Sequence, residues 1–279
     1  MSAPRPTHAP PHFAPLDELL GLFDLDALDR DLFLGDPGPG EGRLFGGTVA
    51  AQSMVAACLT VDPDRVIHSL HAYFLRPGRH DVPIRFVVDR IRDGRSFTTR
   101  RVKAHQAGEP IFNLSASFAV PEEGIEHQSP MPEAPDPENI ETWEEMRARL
   151  LGPGAAKAQS ALDVRMCDAL SPDPSPGGEA KQRVWIRVRG ELPDDPLIHT
   201  AMLVYASDRA LLSTAVRPHG VHWGRGMAAS LDHAVWIHRP IRFDDWVLSA
   251  GTPAENEPLL LTWEKFPHIF VKWEKFPRK

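Results

Sequence analysis

Two short stretches of this chain say nearly the same thing. Residues 68–77 read HSLHAYFLRP and residues 229–240 read ASLDHAVWIHRP. Each runs Ser-Leu, then His-Ala, then an aromatic–aliphatic segment, then Arg-Pro. A repeat this short constrains the fold only if its surroundings repeat as well, and they do. Ahead of the first copy, TVAAQSMVAACL is apolar at helical spacing through Val49, Gln52/Ser53, Ala56/Ala57 and Leu59/Thr60. Ahead of the second, LIHTAMLVYASDRALLSTAV carries a stripe of Ala201, Val204/Tyr205, Leu211/Leu212 and Ala215. Both halves have the order helix, loop, repeat strand. This predicts a duplicated unit in which a long helix, near residues 47–60 and again near 196–215, is wrapped by antiparallel strands.

The rest of the first half supports that reading. HSLHAYFLRP is aromatic and β-prone, PIRFVVDRIRDG ends in the turn signal Asp93-Gly94, and SFTTRRVKAHQAGEP leads through a second turn into IFNLSASFAV. In the last of these, Phe112, Leu114, Ala116 and Phe118 alternate with Asn113, Ser115 and Ser117, a period of two. The small residues of the first helix allow neighbours to approach it closely on several sides. The second half opens with the strand RVWIRVRG and the helix-entry signal ELPDDP. Between the halves, PEEG, SPMPEAPDPE and SPDPSPGGE are loop chemistry around one helical stretch, ETWEEMRARLLG. The expected organisation is a Pro-rich flexible tail at 1–15, one unit at 16–120, a linker at 121–180 and a second unit at 181–279.

Bulk properties exclude several classes. Of 279 residues, 42% are hydrophobic and 25% charged, with a formal net charge of -7, so no basic stripe invites nucleic acid. No apolar run reaches the roughly 18 residues of a membrane span. Residues 1–15 have no apolar h-region, and Cys58 and Cys167 make no disulfide framework, so a reducing cytoplasm is expected.

Few residues stand out chemically. Asp208 falls in the apolar stripe of the second helix, where a carboxylate is costly unless hydrogen-bonded or paired. It either meets a loop or an Arg that satisfies it, or it is a general base in a cleft. Ser230, Asp232, Ala234 and Trp236 share one strand face, and Leu231, His233, Val235 and Ile237 the other. Gly46-Gly47 places exposed N–H groups at a helix start, where an anionic group is favoured. His68, His71, His233 and His238 read as core or surface histidines. No H-E-x-x-H, paired C-x-x-C, G-x-S-x-G or G-x-G-x-x-G occurs, so a metal, a serine elbow and a dinucleotide all lack a motif.

Taken together, LFGGTVAAQSMVAA, HSLHAYFLRPG, IFNLSASF, YASDRALLSTAVRPHG and SLDHAVWIHRP resemble the acyl-CoA thioesterase II family in order and spacing over roughly residues 15–248. The resemblance implies an α+β tandem (double) hotdog fold. It implies hydrolysis of fatty acyl-CoA to free fatty acid and CoA, with no metal, no cofactor and no covalent intermediate. Asp208 matches the family's Asp on the second hotdog helix, and Ser230 matches its Ser or Thr on the repeat strand. Asp208 would take a proton from a water that Ser230 helps to orient, and a backbone N–H at the Gly46-Gly47 helix start, or at the second helix, would polarise the substrate carbonyl. No membrane span and no nucleic acid are expected, and a homo-oligomer is compatible with the sequence.

The family also carries a Gln on a late strand, and this chain has no Gln after Gln182. From about Ser249 the sequence departs from the family and repeats WEKFP at 263–267 and 273–277. One of LLLTWEKF and HIFVKW is expected to pair with the second sheet, with activity much reduced or stability dependent on a partner chain covering the edge. A degenerate acyl-CoA-binding hotdog protein without catalysis is the alternative. An enoyl-CoA hydratase ranks last, because no G-D-x-N-P-x-H-like loop exists.

Overall fold

The computed structural model describes residues 14–125, 130–155, 159–168, 181–209, 214, 217–219, 230–251, 259–261 and 269–271. Residues 1–13 of the expected tail and both WEKFP repeats lie outside them. Ala14 and Pro15 already belong to helix α1 (Ala14–Gly21).

The expected meander is present. After the hairpin β1 (Asp26–Asp29) and β2 (Leu32–Gly35) comes α2 (Gly46–Cys58), then β3 (Val66–Phe74), β4 (Ile84–Asp93), β5 (Phe97–Gln106) and β6 (Glu109–Ala119). The β5–β6 turn places both Ala107 and Gly108 at positive φ, as a two-residue hairpin turn requires. The second half contributes α3 (Trp143–Leu151), β7 (Leu162–Met166), β8 (Gln182–Val188), α4 (Pro196–Ser207), β9 (Asp232–Trp236), β10 (Val247–Gly251), β11 (Leu259–Leu261) and β12 (Ile269–Val271).

Two antiparallel sheets result, one in the order β1-β2-β4-β5-β6-β3-β9 and one in the order β12-β11-β10-β8-β7. The first crosses the boundary between the halves, because the two copies of the repeat, β3 and β9, pair with each other. His71 stands opposite Ala234 and Ala72 opposite His233. Exchanging the copies carries this register onto itself, so the repeat is the seam of an internal two-fold.

The helices fill the space inside. Every residue of α2 from Gly47 to Ala57 is buried, as expected for a helix apolar or small all round. Alpha-helix α4 packs against it through the same alanine-rich surface and buries Ala201, Met202, Leu203 and Val204. Phe86, Phe112, Leu114 and Phe118 close the core from the first sheet, and Val184, Ile186 and Val188 from the second. The described part of α4 ends at Ser207 with Asp208 as its C-cap, so Asp208 closes this helix rather than interrupting its stripe. Leu211, Leu212 and Ala215 of that stripe lie outside the described residues.

The span 121–180, read as a linker, is more than a connection. Strand β7 within it forms the edge of the second sheet. Helix α3 starts with a reciprocal capping box between Thr142 and Glu145. Residues 133–144 cross the outer face of the second sheet: Arg183 donates to Glu133 O, Trp185 Nε1 to Pro135 O, and Arg165 to Ile140 O. Beneath them the buried Asp163 carboxylate accepts from Arg165 at 2.7 Å and from Arg189 at 3.3 Å. Two acidic side chains of this span also meet the face, Glu138 at Arg187 and Glu144 at Arg189. At the other edge, Leu261 pairs with Ser249 and β12 adds to β11, so both late segments join the sheet where one was expected.

Candidate active site

The site forms where the end of α4 meets the start of α2. Phe45 is the N-cap of α2 and supplies no side-chain cap. The free N–H groups of the first turn need an acceptor. Asp208 provides one from the other helix, through a hydrogen bond with the Gly47 N–H. Helix α4, by contrast, caps itself, because Asp195 accepts from the Leu197 N–H at 2.9 Å. The two glycines make the approach of the helices feasible. A Cβ on Gly46 would lie 2.5 Å from Asp208 Oδ2 and 2.8 Å from the Phe74 ring. A Cβ on Gly47 would collide with the Tyr205 carbonyl oxygen.

Ser230 completes the constellation. Its hydroxyl donates to Asp208 Oδ1 at 3.2 Å. Ser230 lies two residues before β9, where the strict alternation of the strand no longer applies. It therefore reaches the end of α4 although the strand's parity assigns it to the other face from His233. Among the described residues the Asp208 carboxylate is held by a hydroxyl and a backbone N–H rather than by an arginine. Burial pushes its pKa up to about 6, against the lowering by Ser230 and Gly47. A carboxylate this close to neutrality is half-poised to take a proton, and the positive end of α2 steadies its charge.

Four residues singled out in the sequence, Gly46, Gly47, Asp208 and Ser230, thus come together. The rings around them were not foreseen: Phe74 beside Gly46, and Tyr205 edge-on to Phe45 with centroids 5.1 Å apart. Also unforeseen is a second link between the same two elements. Ser207, next to Asp208, accepts or donates at 2.8 Å with His233 Nε2. His233 is 1% exposed, so its reading as a core histidine holds. The signal that could have exposed the link is the repeat itself, which keeps His-Ala at the same place in both copies. Among the described residues no group of His, Cys, Asp and Glu could hold a metal ion, and no helix is long and apolar enough to cross a membrane.

A pair of central helices wrapped by antiparallel sheets, with the seam on a duplicated strand, makes this a tandem hotdog protein. The description of the acyl-CoA thioesterase N-terminal domain matches residues 35–119, and that of acyl-CoA thioesterase matches residues 157–255. Acyl-coenzyme A thioesterase 8 of Mus musculus is 36% identical over 243 residues, covering 81% of this chain and 76% of its own length. Acyl-CoA thioesterase 2 of Haemophilus influenzae is 36% identical over 244 residues, covering 84% of this chain and 85% of its own. The crystal structure of acyl-CoA thioesterase II TesB2 from Mycobacterium marinum superposes with a TM-score of 0.72 at 36% identity, covering 93% of this chain and 97% of that one. The chain belongs to the acyl-CoA thioesterase II family, and its activity is acyl-CoA thioester hydrolysis. None of these relatives favours the non-catalytic alternative.

Proposed function

We propose that the chain hydrolyses fatty acyl-CoA to free fatty acid and CoA, with Asp208 as the general base and Ser230 orienting the attacking water. One observation carries this: a carboxylate raised to about 6 that meets a hydroxyl at 3.2 Å beside the N-terminus of a buried helix. The water oxygen attacks the thioester carbonyl carbon as Asp208 takes its proton. The tetrahedral oxyanion develops at the positive end of α2, near Gly46 and Gly47, which lowers its energy. Collapse expels the CoA sulfur, which leaves with a proton returned from Asp208. No side chain is acylated. Phe45, Phe74 and Tyr205 offer the apolar surface on which the acyl group packs.

We read one hotdog unit as 16–120 and the second as 181–279, with β7 added to the second sheet from the segment between them. The free thiols of Cys58 and Cys167 fit a cytoplasmic setting. Self-association into a homo-oligomer is read by light scattering. The decisive experiment follows thiol release from fatty acyl-CoA by the purified chain. Asp208→Asn is expected to lower kcat by about 10²–10⁴-fold, the usual worth of a positioned base. Wild-type turnover by that variant would reject the assignment.

A further inference from the structure

We propose that His233 and Ser207 form a positioning pair that sets the distance between α4 and β9 and so holds Asp208 against Ser230. The inference rests on the assignment of Asp208 as base.

The end of α4 is tied to the chain around β9 at two neighbouring points. Asp208 meets Ser230 at 3.2 Å, and Ser207 meets His233 Nε2 at 2.8 Å. The Ser207 hydroxyl also donates to Val204 O at 2.9 Å, within its own helix. With that proton committed, Ser207 Oγ accepts from His233 Nε2–H. The direction is consistent with the rest of the ring: among the described residues the buried His233 Nδ1 has no hydrogen-bond partner, as expected of the unprotonated nitrogen of a neutral imidazole. Burial holds this histidine neutral, pushing its pKa down to about 4. The chain of donors therefore runs from His233 through Ser207 to the Val204 carbonyl.

Both members are enclosed, Ser207 at 6% and His233 at 1% exposure, so water does not compete for the bond. The Asp208–Ser230 contact is longer and lies at the less enclosed end of the same junction. Ser230 precedes the strand, one residue beyond the bond from the Phe74 N–H to Leu231 O. His233 lies inside β9, paired with Ala72 of β3. The rigid bond inside the sheet therefore sets the position of the weaker one outside it. A neutral imidazole does this without placing a charge next to the base. The effect on rate passes through geometry, since a small misplacement of a catalytic group is costly.

The test compares Ser207→Ala, His233→Leu and His233→Gln, whose amide N–H can still reach Ser207, by steady-state kinetics with fatty acyl-CoA. Ser207→Ala and His233→Leu are expected to lower kcat about tenfold with KM within about twofold of wild type. His233→Gln is expected to restore most of the loss. Leu and Gln variants equally impaired would reduce His233 to a space-filling role and overturn the proposal. If His233→Leu does not fold, Ser207→Ala decides alone, because it removes the acceptor without opening a sizeable cavity, and wild-type kcat in it would overturn the proposal. An active Asp208→Asn would defeat the underlying assignment instead, so the two failures are distinguishable.

Discussion

Asp208 carries a cost as well as its proposed role. Its pKa is near 6 in the folded chain against an ordinary 3.8, so the native state binds the proton more tightly than the unfolded chain does. For a carboxyl raised in this way, stability falls as pH rises from about 4 through about 6 and stays lower above that. The difference corresponds to at most roughly 3 kcal/mol at neutral pH. Asp208→Asn is therefore expected to raise the melting temperature at pH 7 while removing activity, and to leave it nearly unchanged at pH 4. An equal or lower melting temperature at pH 7 would contradict the cost of burial. The same pKa sets an acid limb in kcat near pH 6, below which activity falls about tenfold per unit as the base is protonated.

Elements are held in register by buried polar groups that periodicity does not report. Arg100 on β5 is 1% exposed. Its guanidinium donates to Thr60 Oγ1 at 2.9 Å, to Thr60 O at 3.0 Å, to Arg92 O at 3.1 Å and to Asp93 Oδ1 at 2.6 Å. It thereby ties the chain leaving α2 to the β4–β5 hairpin. Arg100→Leu leaves several acceptors without donors and is expected to destabilise the fold by about 2–4 kcal/mol in denaturant unfolding. Arg100→Lys is expected to recover little, since a point charge cannot serve a forked set of acceptors. In the sequence Arg100 is one of two adjacent arginines in a strand of alternating pattern. Only its inward parity marks it, and nothing local names its partners.

At the scale of the whole molecule the duplication is not symmetric in chemistry. Asp208 is the thirteenth residue counted from Pro196, and Cys58 is the thirteenth of α2. At the Cys58 end burial pushes the thiol up to about 12, with Asp195 adding to the rise, so no thiolate forms. The start of α4 there is already capped by Asp195, whereas the start of α2 takes its acceptor from the other helix. With Asp208 as the proposed base, one catalytic end per chain is expected. A non-hydrolysable thioether analogue of an acyl-CoA is expected to bind one molecule per chain in calorimetry, and two would show that the Cys58 end is also a site.

The sequence by itself determined the two-unit organisation, the helix and strand order and the meander of β3–β6, and its resemblance singled out Asp208 and Ser230, which the fold brings into contact. These are carried by patterns within a dozen residues, where spacing reports which face of an element is buried. It did not determine what covers each face. The pairing of β3 with β9, the capping of α2 by Asp208, the Ser207–His233 bond and the strap of residues 133–144 over the second sheet all join segments far apart in the chain. The linker reading missed the strap because its Pro and acidic residues look alike whether they face water or a row of arginines. Asp208 looked like a break in a helical stripe because the stripe does not say where the helix stops. Contacts of this kind depend on how two packed layers close on each other, and only the tertiary structure decides them.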